Sequence, residues 1–299
     1  MGYRSVFIKN GDKLKLKLDN LEILKGGDSY FIPLEDIETI VLEGNRTIIT
    51  SLLLAKCAEY HISVIVTDRD YLPNGVFLGL GNYHHSAKRA SWQSQWDEKS
   101  KLKIWTEVVR QKVHNQLANM IEQQCNQERI THVAELSQQI EFGDKTNREG
   151  HIAKMYFNSL FGAKFSREND CIENACMDYG YAIVRAQVAR SITSQGLLPM
   201  LGIFHRNEYN SYNLADDLME PFRPILDWYI LTIVLKEKPE YLTYDLRLQL
   251  VDFLNQSIYV EGRRCYMNQA INTFVLSFIK AMETNDVTKL KIIDLNNME

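Results

Sequence analysis

No two cysteines stand in a CxxC pattern, and the five present (Cys57, Cys125, Cys171, Cys176 and Cys265) are odd in number. That argues against a disulfide framework and against a cysteine zinc site, and it points to a reducing cytosol. Long apolar runs are missing as well. The longest weakly polar stretch, Gly196 to Phe204, covers nine residues and contains a proline, whereas a membrane span needs about 20. The first 30 residues alternate charge and apolarity and lack the apolar stretch of a secretory signal. A soluble, cytoplasmic protein with no membrane partner is therefore expected. Gly and Pro are scarce, at 15 and 6 of 299 residues, which argues against a collagen-like, low-complexity or disordered chain. Nor is there a surplus of positive charge. With 34 Lys and Arg against 38 Asp and Glu the net charge is −4, so nucleic acid would have to be met by local patches.

What is present is an ordinary globular balance, 45% apolar and 24% charged. At roughly 150 residues per domain the length predicts two domains. The first 80 residues read as β-rich. Lys13 to Leu18 alternates with period 2 and puts its leucines on one strand face. Tyr3 to Ile8, Tyr30 to Ile32, Ile37 to Leu42, Ile62 to Val66 and Val76 to Leu80 add short β-branched or aromatic runs. Turns are expected at Asn10-Gly11-Asp12, Asp19-Asn20, Gly26-Gly27-Asp28 and Pro73-Asn74-Gly75. One helix, about Thr50 to Tyr60, interrupts the strands. From Lys99 onward the texture is helical: Leu102, Trp105, Val109, Val113, Leu117, Met120 and Ile121 keep to one face. Helices are predicted to about Met282, with a hairpin around Tyr259 to Tyr266 and a frayed last dozen residues. The expected class is thus α+β: a small β-rich domain over 1–80, a linker over 81–99 and a larger all-α catalytic domain over 100–299.

The most basic stretch runs from 81 to 112, where seven Lys and Arg face three acids with His84, His85, Trp92, Trp96 and Trp105 interleaved. Cations neutralise phosphate and aromatic rings stack on bases, which makes Lys88 and Arg89 candidate DNA contacts. A solvated helix face with its tryptophans turned into the core explains the same residues and is the commoner arrangement.

Three segments carry the chemistry. In NREGHIAKMYFNSLFG (147–162), a helix capped near Thr146 or Asn147 gathers Ile152, Ala153, Tyr156, Phe157 and Leu160 on one face, with Glu149 at its centre. A carboxylate there is costly unless compensated, although a first-turn acid also suits the helix dipole. In NACMDYGYAIVRAQVAR (174–190), Tyr181, Val184, Val188 and Ile192 share a face. Gly180 in mid-helix costs about 1 kcal/mol relative to Ala and implies a close contact there. In the stretch 196–228, Gly196 and Pro199 end one helix, and His205 reaches the edge of a polar loop. A new helix near Asn213 turns Leu214 and Leu218 inward, with Asp217 and Glu220 three apart and Pro221 and Pro224 at the exit. A buried-face Glu, a loop His and an acidic pair are the parts of a mixed oxygen–nitrogen site for Mn²⁺ or Mg²⁺. Such an ion polarises a phosphodiester and stabilises the departing oxygen of an in-line displacement.

NREGHIAKMYFN, then N…DYGYA, then GLLP.LG..H followed by NLADDLMEPFRP resembles, in this order, the CRISPR-associated endonuclease/integrase family of adaptation modules (Cas-one). The NREGH and MEPFRP wording and the compact β-rich start look most like the subtype II-A form. The resemblance implies a metal-dependent integrase that joins the 3′-hydroxyl ends of captured DNA to a repeat array by transesterification. It places the metal triad on Glu149, His205 and Glu220, the last standing where some relatives have Asp. Asp217 becomes a residue that orients a ligand or an alternate ligand, and Arg223 a candidate phosphate contact. The implied partners are double-stranded DNA (protospacer and repeat), a second copy of the chain through the N-terminal domain and a dimer of a small partner (Cas-two). Other adaptation proteins of a subtype II-A system would join them. Two other functions fit the same residues: a structure-specific nuclease that uses water as nucleophile, and a non-catalytic DNA-binding scaffold.

Overall fold

The leucine–lysine alternation of Lys13–Lys17 does form a strand, and its register explains most of the N-terminal architecture. A computed structural model describes residues 4–9, 11–69, 71–79 and 85–298. Strand β2 (Lys13–Lys17) pairs antiparallel with β3 (Asn20–Lys25), β3 with β4 (Asp28–Pro33), and β2 runs parallel to the short β6 (Ile48–Ile49). A second sheet orders β1 (Arg4–Ile8), β5 (Ile37–Leu42), β7 (Ser63–Thr67) and β8 (Pro73–Phe77), parallel except for β8 at the edge. Helix α1 (Ser51–Glu59) lies between β6 and β7 in the chain, and its first turn is capped by the Thr50 side chain accepting from Leu53 N–H.

Three details differ from the sequence expectation. Leu14 is buried, but Leu18 leaves the strand at φ +48° and is 88% exposed, so the leucines do not all share one face. Strand β3 was not anticipated, because turn signals crowd both of its ends. Pro73-Asn74-Gly75 is the start of β8 and not a turn; an edge strand tolerates a proline at its first position because no ladder hydrogen bond is lost. Expectations touching Tyr3, Asn10, Leu80 and residues 81–84, His84 among them, lie outside the described residues.

All six residues of β5 are buried, as in a strand covered on both faces. One face meets Leu14, Leu21, Leu53 and Cys57; the other offers Val41, which with Ile65 of β7 joins the large helical core. Helix α6 (Ile172–Ser194) lies on that second face. Buried polar groups stitch the two regions together: Thr39 donates to Gln187 at 2.9 Å, and Gln187 and Arg190 both donate to Glu38, at 3.0 and 2.6 Å. A buried carboxylate with two donors is compensated, whereas losing Arg190 would strand its charge.

The C-terminal region is built around α3 (Glu98–Glu122), with α4 (Gln127–Ser137), α5 (Arg148–Phe161), α6, α7 (Asn213–Met219), α8 (Arg223–Tyr229), α9 (Tyr244–Asp252) and α10 (Met267–Thr284). It is not all-α. β9 (Ser257–Val260) and β10 (Arg263–Tyr266) form the expected hairpin about Glu261-Gly262, both at positive φ. Ile121, placed on the apolar face of α3 from sequence, is exposed. The stretch read as a linker carries a docked helix, α2 (Ser86–Ser94). Its Gln93 side chain donates to the Leu198 and Leu201 carbonyls and accepts from Leu198 N–H. Trp96 and Trp105 are buried, as the core reading of the tryptophans required. The last residues are not frayed: Asn115 of α3 holds Ile293 O and Leu295 N–H, both at 2.9 Å, and buries those side chains. Among the described residues no helix is long and apolar enough to cross a membrane.

Gly180 has the close contact its position implied, since a Cβ there would stand 2.8 Å from Leu226 Cδ2. Just beyond Leu226 lies Asp227, buried, accepting from Tyr156 Oη at 2.9 Å and Tyr181 Oη at 2.5 Å. Burial pushes its carboxyl up to about 6 despite both donors. Between its unfolded and folded values the native state holds the extra proton. Asp227 therefore favours folding most below about pH 4, and that benefit is lost as pH rises through 6, about 3 kcal/mol in all. Denaturant melts of wild type and Asp227→Asn from pH 4 to 7 should show the variant gaining relative stability by up to that amount. A difference independent of pH would contradict the assignment.

Candidate active site

Three segments, the start of α5 and two from the stretch around α7, meet against the middle of α3, which supplies a fourth group. The first is the start of α5. Asn147 precedes it in the left-handed region and supplies no side-chain cap. Asp144 caps instead, accepting from Arg148 N–H at 2.9 Å and Glu149 N–H at 3.0 Å. This corrects the cap expected at Thr146 or Asn147, and it fixes the Glu149 backbone where its side chain leans toward α3.

The second segment is the junction of α7 and α8. Pro221 and Pro224 do not end the helical path there. Each sits in the first turn of a new helical piece, where its missing N–H costs nothing. Glu220 stands at this joint, its side chain only 6% exposed. Arg223 Nε lies 3.1 Å from Glu220 Oε1, and its guanidinium covers the Tyr181 ring at 4.8 Å.

The third is the loop between α6 and α7. Buried Asp217 gathers its backbone: Ile203, Phe204 and His205 N–H donate to its two oxygens at 2.6, 3.0 and 3.1 Å. The same carboxylate pairs with His205 Nδ1 at 2.7 Å. That contact raises the imidazole above its ordinary range and leaves Nε2 as the remaining ring nitrogen. Phe204 stacks on Trp105 at 4.2 Å, and the His205 ring meets Trp105 edge-on. Asp217 is thus spent on orienting the loop and the imidazole, which leaves it no free oxygen for direct ligation.

The fourth is Lys112 of α3, which sequence reading had counted only as part of the basic strip. Its ammonium pairs with both Glu149 Oε1 and Glu220 Oε2. Burial pushes the amine down, but Glu220 and Glu149 outweigh it and hold it above its ordinary value. Burial likewise pushes Glu220 up, yet Arg223 and Lys112 together keep it below the usual carboxylate range. Both groups stay charged. A lysine inside the stripe Trp105, Val109 and Val113 was the available signal; for Asp144 there was none beyond an acid just upstream of a helix.

Glu149 and Glu220 are therefore brought to one positive charge, and His205 lies close enough for its charge to act on Glu220. Among the described residues no three His, Cys, Asp or Glu side chains form a ready ligand cage. The ammonium stands between the two carboxylates instead. Two carboxylates converging on one cation, with an imidazole fixed through its other nitrogen within electrostatic reach of Glu220, nevertheless suit a hard divalent ion. A groove of about 500 Å³ opens at His205, lined also by Gln93, Glu98, Lys101, Arg206 and Asn213. Lys88 and Arg89 are not part of it. They border a separate cavity of about 290 Å³ with Trp92, where Arg89 is paired with Glu283 at 2.6 Å.

A β-rich region set against a helical body is a fold this chain shares with solved proteins. "Casposase bound to integration product" superposes with TM-score 0.76 at 17% identity, covering 99% of this chain and 96% of that one. A chain of a "Cas6-RT-Cas1--Cas2 complex" gives 0.74 at 17% identity, covering 97% of this chain and 36% of the longer one. The chain belongs to the CRISPR-associated Cas1 family: the profile "CRISPR associated protein Cas1" matches residues 6–247, which include every residue of the site. "CRISPR-associated endonuclease Cas1" of Neisseria meningitidis serogroup C (strain 8013) is 36% identical over 296 residues, 99% of this chain and 97% of that protein.

Proposed function

We propose that this chain is the metal-dependent integrase of a CRISPR adaptation module, joining 3′-hydroxyl ends of captured DNA to a repeat array. Family membership supports the setting. The observation that carries the chemistry is the convergence of Glu149 and Glu220 on one cation position, with an Asp217-anchored His205 whose charge acts on Glu220. Glu149, Glu220 and His205 Nε2 would hold Mn²⁺ or Mg²⁺. When bound, such an ion withdraws charge from a phosphodiester and eases ionisation of the attacking hydroxyl.

The chain's own residues do the positioning. Asp217 holds the imidazole in one orientation. Asp144 fixes the first turn of α5, and Arg223 keeps Glu220 charged. In the reaction the incoming 3′-oxygen bonds to a repeat phosphorus while the bond to the repeat's own 3′-oxygen breaks. One phosphodiester replaces another, the incoming hydroxyl gives up its proton, and the leaving oxygen takes one up. Neither an external energy source nor a covalent protein intermediate is needed.

The solved relatives include a complex with Cas2 and a casposase on an integration product. They support DNA and Cas2 as partners, Cas2 in this reading as a small dimer. In the same reading the N-terminal 80 residues serve dimerisation and residues 100–299 catalysis in a cytoplasmic homodimer, although Val41 and Ile65 of the N-terminal region share the helical core. The NREGH and MEPFRP wording favours a subtype II-A system, which the gene's neighbourhood would test.

The endonuclease name of the relatives favours one second reading, simple hydrolysis of branched DNA. A 3′-dideoxy duplex separates the two. With a supercoiled repeat plasmid and Mn²⁺, integration predicts joining by the 3′-hydroxyl duplex and none by its dideoxy counterpart. Equal plasmid cleavage with either duplex, and no joined product, would favour hydrolysis.

A further inference from the structure

The centre of the site is electrically balanced in the metal-free protein. Glu149 and Glu220 supply two negative charges, Lys112 and Arg223 two positive ones, all linked by ion-pair contacts. The Lys112 side chain is only 10% exposed, and Val108, Val109 and Val113 around it on α3 are buried. Its ammonium touches one oxygen of each carboxylate that a metal ion would use. A divalent ion added there with Lys112 in place would meet a like charge at contact range and leave the cluster with two excess positive charges. The two cannot share those oxygens.

A lysine differs from an arginine in this setting. Its compact charge rides on a flexible four-carbon stem, so the head can swing while the stem stays buried. A DNA phosphate entering from the groove at His205 is the natural place for the displaced ammonium to go. It also brings the first negative charge that relieves the excess.

We propose that Lys112 is a resident counter-cation that keeps the metal position closed in the DNA-free protein and transfers its hydrogen bonds to a DNA phosphate, so that metal and DNA load together. This inference rests on the metal-site reading above and adds to it a coupling between the two ligands. By linkage, whatever DNA does for metal affinity the metal does for DNA affinity. Such coupling would restrain the site from acting before a substrate strand is seated.

Calorimetric titration of Mn²⁺ into the full-length protein tests it, using wild type, Lys112→Met, the polar variant Lys112→Gln, and Glu220→Gln as control for the site. Each is titrated alone and with a 3′-dideoxy duplex, after subtraction of Mn²⁺ bound by the duplex itself. Without DNA, Lys112→Met and Lys112→Gln should bind Mn²⁺ at least about tenfold more tightly than wild type, about 1.4 kcal/mol. The duplex should tighten wild-type binding by a similar factor and the Lys112 variants by less than about threefold. General structural damage would weaken binding, so tighter binding is the diagnostic direction. If wild type binds Mn²⁺ but both Lys112 variants bind it no better, the counter-cation role is wrong and the metal site stands. If neither wild type nor the variants bind Mn²⁺ with or without DNA, the metal reading fails and takes this inference with it.

Discussion

Glu220→Gln is expected to cut 3′-end joining by about a thousandfold, close to 4 kcal/mol of transition-state stabilisation. Gln has the shape of Glu but no charge, and it turns an amide NH₂ toward whatever cation the site holds. The carboxylate it replaces is buried and kept ionised by Arg223 and Lys112. His205→Ala should fall by a comparable factor, because it removes the nitrogen ligand while leaving both carboxylates. The two substitutions also differ in a useful way. Glu220→Gln takes one acid from Lys112, which keeps Glu149, and the acid beside the partly exposed Arg223, and should lower stability by about 1–3 kcal/mol, whereas the His205 side chain is 42% exposed and its loss should cost less. Joining assays in Mn²⁺ at matched folded fraction, verified by circular dichroism, separate chemistry from folding. Retention of more than a tenth of wild-type joining by either variant would refute the ligand assignment.

Asp217→Ala should be nearly as damaging, though Asp217 touches neither metal nor DNA in this account. Its carboxylate is fully buried and serves three backbone N–H groups and the His205 ring. Deleting it leaves the buried Ile203 N–H and the part-buried Phe204 and His205 N–H groups without their acceptor, for a loss of about 2–4 kcal/mol in stability. Misplacement of the imidazole should lower joining by about a hundredfold. Asp217→Asn should not rescue activity. Both oxygens accept, so one end of any amide would face donors with an NH₂ group. The loop is packed against this carboxylate tightly enough to need Gly202, where a Cβ would stand 2.8 Å from Asp217 Oδ2 and 2.4 Å from the His205 carbonyl. A stable, fully active Asp217→Asn protein would show that the loop is positioned by something else.

Much of this was legible in the chain before any coordinates. Period-2 alternation placed β2, one-sided helical patterns placed α3 and α6, and β-branched or aromatic runs marked β1 and β5, the latter buried on both faces. Gly180 was readable as a close contact because nothing else excuses a glycine in mid-helix. Glu149, His205 and Glu220 stood out through the ordered motifs that carry the family resemblance, not through spacing alone. What was hidden depended on partners far away in sequence. Asp144 caps a helix from outside the usual cap position. The C-terminal residues are held by side chains far back in the chain: Gln111 bonds Lys291 and Ile293, and Asn115, some 180 positions earlier, bonds Ile293 and Leu295. Strand β3 was obscured by the turns that define it. Lys112 was legible as a cation and illegible as a site residue, since its two acids lie on other helices. The exit prolines were misread for a related reason: a proline stops a helix or starts one according to the path of the chain around it.

The central claim is that Glu149, His205 and Glu220 share one metal ion. Anomalous diffraction from crystals grown with Mn²⁺ and a 3′-dideoxy duplex tests it most directly. A manganese peak about 2.0–2.3 Å from one oxygen of each glutamate and from His205 Nε2 is the predicted result. A peak elsewhere on the protein, or Lys112 still bridging the two carboxylates with DNA seated and no ion present, would contradict it.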